Sequence, residues 1–142
     1  MPIKPELRWL YPIDWRELSR LIRFGRAGGR CEQCGRPHAT TIRQLADGRW
    51  FDEERRCWRD DSGKPADWPD VVDYAGMSGR RIRLATAHLD HDPLNSRPDN
   101  LRALCQRCHL RHDRREHLRR RRLTIKLRKA LGDLFDGQYR RW

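Results

Sequence analysis

The fold of this chain is decided by residues 85–109, ATAHLDHDPLNSRPDNLRALCQRCH. The run that enters this stretch, residues 81–89, alternates in character and is rich in Ile, Leu and Thr, which predicts a β-strand. Pro and Asn residues then mark a loop, after which residues 100–104 predict a short return strand. From 105 to about 122 the chain is polar and lacks Pro and Gly, which predicts a helix. We therefore expect two antiparallel strands followed by a helix.

Two cysteine pairs bracket the strands: Cys31 with Cys34, and Cys105 with Cys108. A two-residue spacer lets both sulfurs of a pair reach one ion, so two such pairs supply the four thiolates of a closed, structural zinc site. Disulfides are not expected, because we expect no export signal and a reducing cytosol keeps thiols free. One pair could instead be a redox dithiol, but two pairs favour shared zinc. Cys57 stands alone and is predicted to be no ligand.

Composition points to a small core and an anionic partner. The 142 residues are 37% apolar and 37% charged, which suits one domain with little core. Zinc binding on the order of 10 kcal/mol or more can substitute for the missing core. The formal net charge is +12, and residues 109–142 hold 12 Lys and Arg against four acidic residues. A field this positive attracts a polyanion, either nucleic acid or an anionic membrane surface.

A membrane setting is not expected. No run approaches the roughly 18 uncharged apolar residues of a membrane span, and the N-terminal residues lack the apolar run of a signal peptide. We expect a soluble protein in the cytoplasm.

Two segments surround the strands and the first cysteine pair. Residues 1–27 are expected to be an N-terminal helical segment that leads into this pair. Its helix is expected to begin at Asp14, with a capping box to Glu17, and to end at Gly25. Residues 46–80 carry nine acidic side chains and several turn signals. They predict a polar insert that is either a long hairpin or an irregular excursion.

Residues 116–142 are expected to form a basic helical tail. Thr124 is expected to cap a final helix within it. An apolar stripe on that helix is expected to pack on the domain or on another copy of the chain, making a homo-oligomer. The stripe consists of Leu127, Leu131, Leu134 and Phe135.

A three-part motif lies between and beside the cysteine pairs. It consists of Asp90-His91 at a strand end, Asn100 on the return strand, and the segment Leu-Cys-x-x-Cys-His, which ends at His109 and leads into a helix. This motif resembles that of the HNH nuclease family over about residues 28–115. The resemblance implies an α+β fold, a small ββα-metal domain stapled by a structural zinc, with an N-terminal helix and a basic C-terminal helical tail. It also implies a metal-dependent endonuclease that hydrolyses DNA phosphodiester bonds with magnesium or manganese.

The resemblance assigns a role to each motif residue, and the chemistry of each residue type suits that role. His91 is the expected general base, because a neutral imidazole with a pKa near 6.5 can take a proton from water. Asp90 and His109 are the expected ligands of the divalent metal. Asn100 is expected to hold the loop that bears the base. Asp113 lies one helical turn after His109 and is an additional candidate ligand, with plain solvation as the alternative.

Some features depart from the family pattern or stay open. Asp92 stands where an apolar residue commonly follows Asp-His, and the loop lacks the Gly-Gly pair of the family. His88 shares a strand face with Asp90, and a structural role is favoured over a metal contact. His112 shares a helix face with His109.

Seven arginines fall within positions 111–122, opposed by Asp113 and Glu116. This density favours contact with the phosphate backbone of DNA over a solvated charged helix. The predicted nucleic-acid-binding residues are Arg111, Arg114, Arg115, Arg119, Arg120, Arg121 and Arg122.

Three functions remain open from the sequence: a DNA endonuclease, a non-catalytic zinc-stabilised nucleic-acid-binding module, and a subunit of a larger DNA-processing complex. The first alone needs Asp90, His91 and His109 together. The resemblance implies a phage or mobile-element setting in a bacterial host cell, with DNA and packaging or other DNA-processing proteins as partners. Nicking versus double-strand cleavage, the target site and the oligomeric state stay open.

Overall fold

The computed structural model describes residue 3 and residues 5–136, with side chains in the C-terminal helix described as far as residue 130. It mixes helix and sheet, as the α+β prediction requires. The chain divides into two compact units, Met1–Leu110 and Arg111–Trp142. Within the described part, no helix combines the length and apolar character needed to cross a membrane. The domain boundaries expected near residues 27 and 115 stay predictions.

The N-terminal segment contains a 3-10 turn (Pro5–Leu10), helix α1 (Trp15–Arg20) and a π-helical continuation (Leu21–Arg26). Asp14 precedes α1, but its side chain makes no capping hydrogen bond. The capping-box prediction is therefore wrong. Asp14 has φ −87° and ψ 14°, away from the extended conformation in which an N-cap side chain reaches the first turn.

Gly25 does not end the helix as predicted, because it lies inside the π-helical segment. A glycine within a helix costs only about 1 kcal/mol relative to alanine, and tertiary packing overrides such a preference. Here the packing comes from Ile22, which is buried in one core cluster with Leu101 and Ala103.

The insert is ordered into a sheet. Strands β1 (Thr41–Gln44), β2 (Trp50–Asp52), β3 (Cys57–Arg59) and β4 (Ser78–Arg81) form one antiparallel sheet in the order β3-β2-β1-β4. A short hairpin, β2 and β3, is present in place of the long one, and β4 returns to pair with β1. Between β3 and β4 the chain is irregular over residues 60–70 and then forms a 3-10 helix (Val71–Gly76), so the insert combines both alternatives. Trp50 anchors the sheet, since its side chain is completely buried.

The two strands predicted around the Asp-His pair are confirmed. Strand β5 (Leu84–His88) pairs antiparallel with β6 (Leu101–Cys105), with Leu84 opposite Cys105 and His88 opposite Leu101. Helix α2 (Gln106–Asp136) begins directly after β6. This order brings the second cysteine pair to the junction of strand and helix.

Helix α2 runs through Thr124 without a break, so the prediction that Thr124 caps a separate helix is wrong. The Thr124 hydroxyl donates to the carbonyl oxygen of Arg120 at 3.0 Å, which satisfies it inside the helix. Leu127 is exposed. The other members of the expected apolar stripe, Leu131, Leu134 and Phe135, lie outside the residues whose side chains the structure describes, so the homo-oligomer stays a prediction.

The core is small, as the composition predicts. One cluster of buried residues joins both sheets and includes the four paired cysteines alongside Ile42, Trp50, Ile82, Leu84, Ala87 and Leu104. The cysteine side chains are thus part of the core and not an addition to it.

Candidate functional site

The four paired cysteines converge from two parts of the first compact unit that are about 70 residues apart in sequence. Cys31, Cys34, Cys105 and Cys108 are all buried, none forms a disulfide, and their sulfur atoms all lie within 4.8 Å of one another. The Sγ atoms of Cys34 and Cys105 are 3.6 Å apart. Sulfurs at about 2.3 Å from a tetrahedral zinc ion are separated by about 3.8 Å. The donor set therefore fits a structural zinc, and Cys57 lies outside it.

The thiols of this cluster ionise unequally. The Cys108 side chain lowers the pKa of the Cys105 thiol to about 7, and the Cys105 side chain lowers that of Cys31. The pKa values of Cys34 and Cys108 are raised, because their thiols bond to the Cys105 sulfur and would add charge beside it. Four thiolates in one buried site therefore call for a divalent cation to balance them.

The sulfurs of Cys31 and Cys34 accept hydrogen bonds from the protein. The backbone N–H of Cys105 donates to Cys31 Sγ at 3.3 Å, and Arg36 Nη1 donates to Cys34 Sγ at 3.2 Å. Arg36 is fully buried, and its Nε has no hydrogen-bond partner among the described residues. Burial disfavours the charged guanidinium, but Cys34, Cys105 and Asp61 together outweigh this effect and raise the Arg36 pKa. Arg36 would therefore balance part of the charge of the thiolates that zinc binding requires.

Arg36 also connects the cluster to the insert. Its Nη2 donates to the Gly48 carbonyl at 3.1 Å and to Asp61 Oδ1 at 3.2 Å. Asp61 in turn accepts from Arg107 Nη2 at 2.9 Å, and Arg107 lies between the cysteines of the second pair. The insert thus supplies one carboxylate that ties both cysteine pairs together, a role that nothing in the local sequence indicates.

Glu32, inside the first cysteine pair, fixes the chain to β6. Its carboxylate accepts two hydrogen bonds at 2.9 Å from Arg26, and it accepts one at 2.6 Å from the backbone N–H of Ala103. Burial opposes ionisation, but these donors prevail and the Glu32 pKa is lowered. The acid therefore helps set the first pair opposite the second.

The Asp-His pair lies in the turn that follows β5, and Asn100 braces it. Asn100 Nδ2 donates to Asp90 Oδ1 at 2.8 Å and to the Asn95 carbonyl at 2.7 Å, while its Oδ1 accepts from the Asp90 backbone N–H at 3.2 Å. Asp90 further accepts from Asn95 Nδ2 at 2.7 Å and from the Asp92 N–H at 2.9 Å. Side-chain donation by Asn100, followed by the other donors, lowers the Asp90 pKa to about 2.

His91 directly follows Asp90 in the left-handed backbone region, with φ 62°. Its N–H donates to the His88 carbonyl at 3.3 Å. Such a conformation is uncommon for a residue other than glycine and is found preferentially where surrounding contacts enforce it. The turn therefore presents His91 in one defined conformation.

His88 has the structural surroundings that the sequence favoured. Its ring stacks on Trp15 at 5.1 Å between centroids, meets Tyr11 edge-on, and bonds to Ser96 Oγ at 3.2 Å. Burial lowers the pKa of His88, against the opposing charges of Asp90 and Asp92.

The remaining residues of the expected catalytic site, His109 and Asp113, lie on α2. His109 lies half-buried in the first turn of α2, and Asp113 follows four residues later in the same helix. Among the described residues up to Leu110, the four cysteines are the one group of three or more ligands within metal-holding distance. The catalytic divalent-metal site stays a prediction.

The predicted nucleic-acid-binding arginines of α2 are all exposed: Arg111, Arg114, Arg115 and positions 119–122. Glu116 lies among them, and hydrogen bonds from Arg119 and Arg120 lower its pKa to about 2. By helical periodicity Arg115, Arg119, Arg122 and Lys126 share one face. They line a shallow groove of about 420 Å³ together with Leu118 and Leu123.

Comparison with known proteins adds no assignment: the sequence matches no protein-family model, and neither curated proteins nor solved structures give a match.

Proposed function

We propose that this chain is a metal-dependent endonuclease of the HNH type that hydrolyses DNA phosphodiester bonds. The observation that carries the proposal is the braced turn after β5. Asn100 makes three hydrogen bonds that hold the turn bearing His91, and the two strands lead directly into α2 and the cysteine cluster. A base that must meet a water molecule at a fixed place needs such support from neighbouring side chains.

In this proposal each residue of the turn has a separate task. His91 takes the proton from the attacking water, and Asn100 keeps the turn in place. Asp90 stays anionic at neutral pH, as its lowered pKa of about 2 requires. Asp90 accepts hydrogen bonds from Asn100, Asn95 and Asp92, and its carboxylate oxygens are the ligand type that magnesium or manganese prefers.

Asp90 and His109 are proposed to hold the magnesium or manganese ion, with Asp113 as an additional ligand. A divalent ion bound there would neutralise charge on the scissile phosphate and on the leaving oxygen. The zinc proposed at the four cysteines is structural, because four protein ligands leave no open position.

A second candidate is a zinc-stabilised nucleic-acid-binding module without catalysis, acting alone or in a phage DNA-processing complex. It is favoured by the buried four-cysteine cluster, whose donor set fits a structural zinc and is the one metal site that such a module needs. The net charge of +12 supports nucleic-acid contact under either candidate.

Cleavage of supercoiled plasmid DNA tests the proposal. Purified protein should nick or cut the plasmid with magnesium or manganese and stop with EDTA. The informative variant is His91→Asn, because asparagine tolerates a φ of 62° whereas alanine would add backbone strain. Losing a positioned base should reduce cleavage by about 100-fold to 10,000-fold while zinc content and DNA affinity stay unchanged.

The matched control is His117→Asn, which makes the same chemical change on the exposed side of α2 and should retain activity. Cleavage by His91→Asn at the wild-type rate, or no cleavage by wild type with any divalent metal, would reject the enzyme and favour the binding module.

A further inference from the structure

We infer that a second nucleic-acid contact surface lies on the first compact unit, where Arg23, Arg81 and Arg83 surround His38 and Phe24 and bind the sugar-phosphate backbone of a polynucleotide. The class of partner rests on the proposed function. The residues do not: they lie outside the proposed catalytic site and outside the arginines of α2.

The backbone presents two of these arginines side by side. Ile82 and Leu84 point into the core, and the alternation of an extended chain therefore puts Arg81 and Arg83 on the exposed side. Gln106 fixes both positions, because its Nε2 donates to the Arg81 carbonyl at 3.1 Å and its Oε1 accepts from the Arg83 N–H at 3.1 Å. The backbone positions of both arginines are therefore fixed before any ligand binds.

Arg23 joins them through an aromatic pair. Its Nε donates to the Ser19 carbonyl at 3.1 Å, and its guanidinium carbon lies 5.1 Å from the centroid of the Phe24 ring. Phe24 meets His38 edge-on at 5.1 Å, and His38 Nδ1 accepts from the Leu84 N–H at 2.9 Å. Neutral His38 therefore carries its hydrogen on Nε2 and is a further donor for an anionic oxygen.

The electrostatics of His38 report the local field. Burial and then the charges of Arg23, Arg81 and Arg83 lower its pKa. All three cations therefore lie close enough to the imidazole to act on it, although they come from a π-helical segment and from the chain around β4. A bound phosphate would relieve the repulsion among them.

Among the described residues these cations have no acidic partner. Several arginines elsewhere on this unit are paired with acids, as where Arg49 bonds to Asp47 and Asp73 at 2.6 Å each. In contrast, no carboxylate oxygen of a described residue lies within 4.0 Å of the three guanidinium groups of this surface. Closely placed unpaired arginines suit a row of phosphates, because each planar guanidinium can bond two oxygens of one phosphate.

Salt-dependent binding of a labelled DNA duplex by the full zinc-loaded chain tests the inference, in buffer without magnesium or manganese so that binding is measured apart from cleavage. Each phosphate contact contributes about 0.9 to the slope of log affinity against log salt. The triple variant R23Q/R81Q/R83Q should flatten that slope by about 2 to 3. The matched variant R8Q/R56Q/K64Q removes the same charge elsewhere on the unit and should leave the slope near that of wild type.

The His38 titration, followed by NMR without DNA, gives a second readout. Its pKa should rise in R23Q/R81Q/R83Q, because the repelling cations are gone, and should not move in R8Q/R56Q/K64Q. If the first variant has trouble folding, R81Q/R83Q keeps the Arg23 bond to Ser19 and should flatten the slope by about 2.

Three results would overturn the inference. The first two are an equal loss of slope in both triple variants and a His38 titration that is unchanged in R23Q/R81Q/R83Q. The third is an R23Q/R81Q/R83Q protein that no longer binds phosphatidylserine vesicles, which the wild type binds, but binds DNA as the wild type does. A wild-type protein that cuts no DNA but shows the expected slopes would reject the catalytic proposal and leave this surface standing.

Discussion

Arg36 is a charged side chain that the fold buries completely against a cysteine sulfur. Arg36→Met removes the donor to Cys34 and leaves Asp61 with one fewer cation. Removing one partner of a buried ion pair costs about 3–5 kcal/mol, so we expect a large loss in the free energy of unfolding and faster zinc release. Urea unfolding and transfer of zinc to a chromophoric chelator measure the two effects.

The control for this prediction is Arg43→Met. Arg43 pairs with Glu53 at 3.1 Å, but the two side chains are 60% and 54% exposed, and such pairs contribute about 0–1 kcal/mol. If Arg36→Met released zinc no faster than Arg43→Met, Arg36 would have no part in holding the metal.

At the residue scale, prediction from the sequence succeeds where the partners are local. The spacing of Cys31 and Cys34 predicts a metal site, because the two cysteines of a pair are close along the chain. Arg36 gives no such signal, since two of its partners, Gly48 and Asp61, come from the insert. The hydrogen bonds that Asn100 was expected to make are present, but the catalytic role of His91 stays a prediction.

At the scale of elements, the loop that follows β3 is in close contact with the first cysteine pair. Gly63 has φ 91°, and a Cβ placed there would lie 2.5 Å from the carbonyl oxygen of Cys34. Gly63→Ala should therefore displace either the loop or the cysteine, with a loss of several kcal/mol or poor zinc retention. Zinc content per chain and thermal unfolding of the purified variant measure this.

Gly28→Ala separates that clash from backbone strain. Gly28 has φ 57°, but a Cβ there would meet nothing within 4 Å. It should cost only the strain of a left-handed alanine, about 1–2 kcal/mol, with zinc retained. If Gly63→Ala and Gly28→Ala lost the same stability and the same zinc content, the close contact between the loop and the first cysteine pair would have no effect on the cluster.

The elements differ in how far their patterns reveal them. Strands β5 and β6 were predictable because the run that enters β5 alternates in character and a loop marked by Pro and Asn residues separates the two strands. The sheet of the insert was not, since its strands have only three or four residues and β4 pairs with β1 across most of the insert. Helix α2 continues past Thr124, whose hydroxyl donates to the Arg120 carbonyl within the helix and does not cap a new one.

On the scale of the whole molecule, the core of the first compact unit depends on the cysteine cluster. Its larger buried cluster takes four of its ten members from the paired cysteines, which join two segments of that unit that are distant in sequence. Zinc binding on the order of 10 kcal/mol is comparable to the whole stability of a small domain. Loss of the metal should therefore unfold the unit and not merely loosen one loop.

Cys105→Ser tests this dependence, with Cys57→Ser as its matched control. Cys105 is completely buried in the cluster, so serine there should give protein that binds less than one zinc per chain and lacks a cooperative thermal transition. Cys57 is half-buried on β3 outside the cluster, so the same substitution should keep both the zinc and the transition. Circular dichroism and metal analysis measure the outcomes. A folded, zinc-free Cys105→Ser protein would show that packing alone stabilises this unit and that the cysteines serve another purpose.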